Sequence, residues 1–421
     1  MATTDSEPVA NDAGDGASAG GELVQAGREG SDGAVADPLD YCFDPRGVVD
    51  GNDVSLLVDG GDTFPAMLAA IGGATDSVLL ETYILVDDSV GQAFADALLE
   101  AAARGVRCAL VYDAVGSSEL PGSYVDRLRA GGVRAAVFRP LSARVPFRRM
   151  LRRDHRKVLV VDGRVGFVGG INLHAEAASH ADGGGGWHDF AVRIEGPAVQ
   201  RLVELFEWTW RFASRRRRRR MGPGRPDPHG GLVAPARLPA GVPMAVLSTD
   251  VRGRWSIRRS LLYAVARARR SVLIANAYFV PDLGVVRVLA MAAKRGVKVE
   301  ILVPEKSDVR VVDWVRGRFY EPLLRAGVAI HHWAPTILHA KVAVVDDAWA
   351  MVGSYNLDWL SLLHNQEIVV AVHAEGFARH LGDVLRADMA ASRSISLERW
   401  GKRSFFRRIG EHVLYWFRRY L

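Results

Sequence analysis

Two short constellations repeat in this chain. His155, Lys157, Asp162, Gly169, Gly170 and Asn172 form the first, and His339, Lys341, Asp346, Gly353, Ser354 and Asn356 form the second. The offset is 184 positions at His, Lys, Asp and Asn alike, which makes accident a poor account. In each copy His and Lys stand two apart at the head of an apolar run, so an extended backbone points both to one side. Each Asp follows at a turn, and the return run delivers the small residues and Asn back toward the His/Lys end. Two imidazoles, two ammonium groups and two carboxamides around one centre suit a phosphodiester. Lys157, Lys341, Asn172 and Asn356 would neutralise its free oxygens. One neutral histidine would attack phosphorus while the other, protonated, donates to the leaving oxygen. This chemistry calls for no metal and no cofactor, and the usual His/carboxylate metal spacings are absent. Two further acids, Asp189 and Glu367, follow the copies and precede apolar runs; each can orient a histidine by accepting its second N–H. The other ten histidines show no comparable arrangement and are assigned no function. Lysine is scarce, six of 54 cationic residues, yet it fills both motif slots. A compact ammonium fits beside phosphorus where a planar guanidinium does not.

The elements around these residues alternate. Ser77–Val86 reads as a strand, Val90–Arg104 as an amphipathic helix, Val106–Tyr112 as a strand, 125–130 as helix and 133–138 as strand. The order returns in Ser271–Val280, Val285–Arg295 and Val297–Val303, so an α/β fold built by internal duplication is the economical reading. Residues 1–40 form an acidic, Gly/Ala-rich tail of net −8, read as disordered, which leaves +14 on the body of a chain whose total is +6. A body this basic points to an anionic partner. With 421 residues, 49% hydrophobic and 24% charged, the composition is globular and excludes a fibrous or largely disordered chain. Two cysteines exclude a disulfide scaffold. No run approaches the ~18 apolar residues of a spanning helix, and no secretory signal is visible. The division expected is tail 1–40, first lobe 41–213, an Arg-rich and Gly/Pro-rich linker 214–243, second lobe 244–394, and a C-terminal helix 395–421. Trp208 and Trp210 are assigned to core packing. In the last segment Phe406, Ile409, Val413, Trp416 and Tyr420 fall on one helical stripe, with Arg403, Arg407, Arg408, Arg418 and Arg419 mainly off it. That pattern reads as interfacial membrane binding or as a terminal helix docked on the core.

The duplicated H-x-K-x4-D with G-[GS]-x-N resembles the phospholipase D superfamily. The stretches HRKVLVVDGRVGFVGGIN (155–172), WHDFAVRIEGPAV (187–199), AYFVPD (277–282) and LHAKVAVVDDAWAMVGSYNLDWLSLLHNQE (338–367) narrow the resemblance to bacterial cardiolipin synthases of the shorter class. It implies two pseudo-symmetric lobes, each a mixed sheet flanked by helices, with the active site at the lobe interface. It implies a covalent phosphatidyl-histidine, His155 as nucleophile and His339 as general acid/base. Ser354 would support the second site, while Asp189 and Glu367 orient the histidines. Asp162 and Asp346 complete the catalytic signature, though in such enzymes this Asp is mostly structural. Gly170 stands where the second copy has Ser354, and Asp189 is a shorter acid than Glu367, so the site is asymmetric. The implied reaction joins two phosphatidylglycerol molecules at an anionic membrane, by a peripheral protein on the cytoplasmic face of a bacterial membrane. The alternative is hydrolysis of phospholipid or nucleic acid. Nucleic acid is the weaker partner, since a nuclease has no use for the aromatic C-terminal helix.

Overall fold

The computed structural model describes residues 37–141, 150–221, 236–249 and 255–416. The first half runs β1 (Val49–Val58), α1 (Asp59–Gly72), β2 (Ser77–Thr82), α2 (Ser89–Ala103), β3 (Arg107–Asp113), α3 (Gly122–Ala130), β4 (Arg134–Phe138), β5 (Val158–Val161), β6 (Val165–Gly169), β7 (Phe190–Glu195) and α4 (Val199–Met221). The second half repeats that order. It runs β8 (Val242–Ser248), α5 (Ser256–Arg267), β9 (Ser271–Asn276), α6 (Leu283–Lys294), β10 (Lys298–Pro304), α7 (Arg310–Val315), α8 (Gly317–Arg325), β11 (Ala329–Trp333), β12 (Lys341–Val345), β13 (Trp349–Gly353), α9 (Trp359–Leu363), β14 (Ile368–Val372) and α10 (Glu375–Ala390). A short β15 (Arg393–Ser394), α11 (Leu397–Gly401) and α12 (Phe405–Tyr415) follow.

Within each half the sheet is mixed. β2, β3 and β4 are parallel, as their helical crossovers require, while β5, β6 and β7 are joined antiparallel to β2 and end on β1. β9 to β14 repeat the scheme with β8 at the end. β1 and β8 then pair antiparallel through Val49/Met244 and Asn52/Val242. The strand order is therefore one continuous series, β15-β11-β10-β9-β12-β13-β14-β8-β1-β7-β6-β5-β2-β3-β4, with its centre at β8/β1. β5 (VLVV) and β14 (IVVAV) are unbroken apolar runs, buried along their whole length, because both faces of the sheet are covered there. Leu79, Val160, Phe190 and Val192 of the first half share one core with Leu273, Val344, Ala350 and Val370 of the second. The halves are thus bound by apolar burial as well as by strand pairing, which holds the residues between them in fixed register.

Several expected boundaries move. Residues 1–36 of the acidic tail lie outside the described residues, but Pro38–Tyr41 is a turn of 3₁₀ helix whose Tyr41 is buried and donates to Asp346 at 2.7 Å. The composition sets the linker from 214, yet α4 continues through Ser214 and the arginine run to Met221, since arginine is a strong helix former. Residues 222–235 of the linker lie outside the described residues. Trp210 is core, whereas Trp208 is exposed and stacks along Phe212. The C-terminal stretch is not one helix. Ser396 caps α11, the chain breaks at 402–404, and α12 follows; residues 417–421 lie outside the described residues. The apolar pattern predicts one strand over Ser77–Val86, but β2 stops at Thr82, and the chain then turns so that Tyr83 faces the site. β9 likewise stops before Tyr278.

Candidate active site

The two motif segments enter β5 and β12 at their site-facing ends. His155, Lys157, Asn172, His339, Lys341, Ser354 and Asn356 are all buried there, with Asp189 and Glu367. Each lysine curls back on its own motif. Lys157 Nζ donates to the His155 carbonyl at 2.7 Å, and Lys341 Nζ donates to the His339 carbonyl. Asn172 Oδ1 accepts from Ile84 N at 3.3 Å, fixing the amide at the end of the β6 return.

The two halves exchange carboxylates. His155 Nδ1 lies 3.0 Å from Glu367 Oε2, which comes from the second half, and His339 Nδ1 lies 2.7 Å from Asp189 Oδ2, which comes from the first. Backbone bridges enforce the exchange. His155 N donates to Gln366 O at 2.9 Å and Gln366 N to Arg153 O at 2.8 Å; His188 N donates to Ile337 O at 2.8 Å and His339 N to His188 O at 2.7 Å. Each histidine is therefore clamped to the residue preceding its carboxylate partner. Neither half holds an oriented histidine of its own.

The carboxylates are themselves held. Ser354 Oγ donates to Glu367 Oε2 at 2.5 Å and Ser361 Oγ to Oε1 at 2.7 Å. Asp189 accepts from Phe190 N at 2.8 Å through its other oxygen. Burial pushes both acids up, but the cations outweigh it. His155 and Lys157 hold Glu367 below the ordinary carboxylate range, and Lys341 and His339 do the same for Asp189. Ionised carboxylates only accept, so Nδ1 of each histidine carries the proton, and the unprotonated nitrogen of the neutral ring is Nε2. Burial lowers the pKa of His155 despite Glu367. It lowers His339 to about 4, with Lys341 Nζ adding its repulsion from 2.7 Å. Burial also brings Lys157 down to about 7 and lowers Lys341. Both lysines feel Glu367, and His155 and Lys157 both feel Lys341, so the two copies form one electrostatic cluster.

The asymmetry noted in the sequence has a steric origin. A Cβ on Gly170 would lie 2.4 Å from both Asp189 oxygens, so the short acid fills the space that Ser354 Oγ occupies in the other copy. Asp162 and Asp346 do not join the histidine cluster. They sit at the far ends of β5 and β12 with φ of 53° and 54°, a left-handed conformation that Asp tolerates. Asp162 accepts from Thr75 N and Oγ1 and from Asp76 N and Ser77 N at 2.8–2.9 Å. Asp346 accepts from Tyr41 OH and from Arg269 N, Arg270 N and Ser271 N, all at 2.7 Å. Both carboxylates are used in fastening the starts of β2 and β9.

Several site residues escape the sequence reading. Tyr83 and Tyr278 set ring edges against His155 and His339, with centroids 4.9 and 6.1 Å away. Their signal is a shared Tyr-x-x-x-Asp directly after the first strand of each half's parallel set. Trp187 lies 5.4 Å from the His339 ring. Asp308 accepts from Tyr278 OH at 2.6 Å and adds negative charge near His339 and Lys341. His188, assigned no role above, joins the halves. Its Nδ1 lies 2.7 Å from Asp59 and its Nε2 3.0 Å from Asp388, with Trp333 stacked at 4.8 Å. Burial disfavours its charge, yet the two acids raise its pKa to about 10. Asp59 also accepts from Asp189 N at 3.0 Å, so this bridge ends on the acid that orients His339. Among the described residues, no group of three or more His, Cys, Asp or Glu is arranged to hold a metal ion.

Comparison with known proteins agrees with this geometry. The cardiolipin synthase, phospholipase D-like domain model matches residues 67–210 and 261–389, one segment in each half. Cardiolipin synthase B of Escherichia coli K12 is 36% identical over 345 residues, 81% of this chain and 81% of its own length. Cardiolipin synthase A of Pseudomonas aeruginosa LESB58 is 37% identical over 341 residues, 81% of this chain and 68% of its own. Phosphatidylserine synthase of Haemophilus influenzae Rd KW20 shares the fold, with a TM-score of 0.64 at 12% identity over 86% of this chain and 92% of that one. A chain whose two halves each match that model, and which spans four-fifths of one such relative and two-thirds of another, belongs to the cardiolipin synthase family of phospholipase D-like proteins.

Proposed function

We propose that this protein transfers a phosphatidyl group from one phosphatidylglycerol to a hydroxyl of a second, making cardiolipin and releasing glycerol. The observation that carries the reading is the exchange of carboxylates, which prepares both histidines around one centre. His155 Nε2 attacks phosphorus, a P–N bond forms, and the P–O bond to the departing glycerol breaks. His339 Nε2–H gives that oxygen its proton. His339, now neutral, then takes the hydroxyl proton of the second phosphatidylglycerol as its oxygen attacks phosphorus. The P–N bond breaks, and His155 is free again. Burial and the neighbouring Lys341 lower the pKa of His339, favouring its neutral ring. The phosphodiester charge offsets Lys341 and favours the imidazolium that the first step needs. Lys157, Lys341, Asn172 and Asn356 hold the two free phosphate oxygens, with Ser354 supporting Glu367.

No helix among the described residues is long and apolar enough to cross a membrane. We place the protein peripherally on the cytoplasmic face of a bacterial membrane, a setting supported by its lipid-synthase relatives and its unpaired Cys42 and Cys108. The test is product analysis with labelled phosphatidylglycerol vesicles, with and without competing glycerol. Cardiolipin that vanishes in His155→Ala is expected. Phosphatidic acid as the sole product would replace transfer by hydrolysis.

A further inference from the structure

We propose that α12 together with α7 forms an apolar platform that seats this enzyme on an anionic phospholipid surface beside its catalytic site. The proposal deepens the lipid-transfer reading and rests on it for the choice of occupant. Among the described residues of α12, Glu411 and Tyr415 fasten one side. Glu411 is buried and accepts from Arg403 at 3.2 Å, and the Tyr415 ring packs 5.9 Å from Phe319 with Arg318 over it at 4.6 Å. The other side carries Ile409, Val413 and Trp416, one helical stripe, exposed by 45%, 53% and 80%. Trp314 of α7, 44% exposed, flanks the stripe, its ring lying over Gly410, where a Cβ would be 3.0 Å away. The helix is thus docked on the core and still presents an apolar face. Four large apolar side chains side by side at a surface mark a site of interaction.

Two observations choose the occupant. From Ile395 to Leu421 the sequence holds seven Lys and Arg against two Glu, which complements anionic headgroups. α7 also begins two residues after Asp308, whose carboxylate accepts from Tyr278 OH and whose charge bears on His339 and Lys341. Val309, between them, is exposed as well. The platform therefore adjoins the site where a lipid phosphate must arrive. Tryptophan at such a boundary buries its ring among acyl chains and leaves its N–H to the headgroups.

The experiment uses the full chain, 1:1 phosphatidylglycerol/phosphatidylcholine vesicles and the exposed-face variant Ile409→Ser/Val413→Ser/Trp416→Ser. Partition to vesicles should fall at least tenfold in the variant, while turnover of monomeric short-chain phosphatidylglycerol stays within twofold of wild type. His155→Ala should bind vesicles like wild type, which separates docking from catalysis: wild type that binds but makes no cardiolipin sinks the proposed function and leaves the platform standing. Undiminished binding by the triple variant overturns the platform. So does equal binding to pure phosphatidylcholine, or a wild-type dimer that the variant abolishes with no change in vesicle binding.

Discussion

Glu367→Gln changes one atom and should disable His155, a residue 212 positions away in the chain. Three donors converge on the two Glu367 oxygens: His155 Nδ1–H, Ser354 Oγ–H and Ser361 Oγ–H. Glutamine offers one oxygen and one NH2. If the NH2 faces His155, the ring must flip its proton to Nε2 to accept at Nδ1, and the attacking lone pair is lost. If it faces Ser361, that hydroxyl can turn to accept, but the anion that favours the imidazolium-like transition state is still gone. A wrong tautomer at an oriented catalytic histidine costs about 10⁴ in kcat in the serine-protease case. We expect a loss of about 10³–10⁴, which is about 4–5.5 kcal/mol of barrier at 1.36 kcal/mol per decade. The assay is single-turnover labelling of the protein with phosphatidylglycerol, alongside imidazole ¹⁵N shifts. The His155 shifts should change in Glu367→Gln, and the His339 shifts in Asp189→Asn. Activity within tenfold of wild type, or a change at His339 instead of His155, would refute the crossed pairing.

Three other outcomes follow from the same structure. His188→Asn should lower stability at pH 7 by on the order of 3 kcal/mol, because a pKa raised from 6.5 to about 10 stabilises the folded state fully below pH 6.5 and loses that contribution as pH climbs through about 10. Thermal melts of wild type and variant should converge above pH 10, and a constant gap would exclude the charged bridge. Asp162→Ala and Asp346→Ala should each cost about 2–4 kcal/mol in urea unfolding through their stranded backbone donors, with kcat of the folded enzyme changed less than threefold; a normal melt with a hundredfold lower kcat would return them to the catalytic set. Gly170→Ser should push the Asp189 carboxylate off His339 and lower kcat by about 10² without unfolding the protein, since a displacement near 1 Å has that cost; wild-type turnover would show that the asymmetry has no steric basis.

That the repeated His, Lys and Asn gather on one face was legible in one dimension. A repeat of His, Lys and Asn at a constant offset is a statement about residue types, and strand geometry turns it into a face without further information. The α/β order was legible for the same reason, because apolar periodicity is local. Partnership was not. Asp189 follows the first motif in sequence yet serves the second histidine, and Glu367 serves the first, because β1 meets β8 at the centre of one sheet and brings each half's late loop to the other half's motif. Tyr83 and Tyr278 were hidden because where a strand ends and turns depends on what packs beyond it. His188 looked idle because Asp59 and Asp388, which keep it charged, stand 129 and 200 positions away. Residue type and period are properties of neighbours along the chain, whereas protonation and orientation belong to neighbours in space, and only the folded halves supply those.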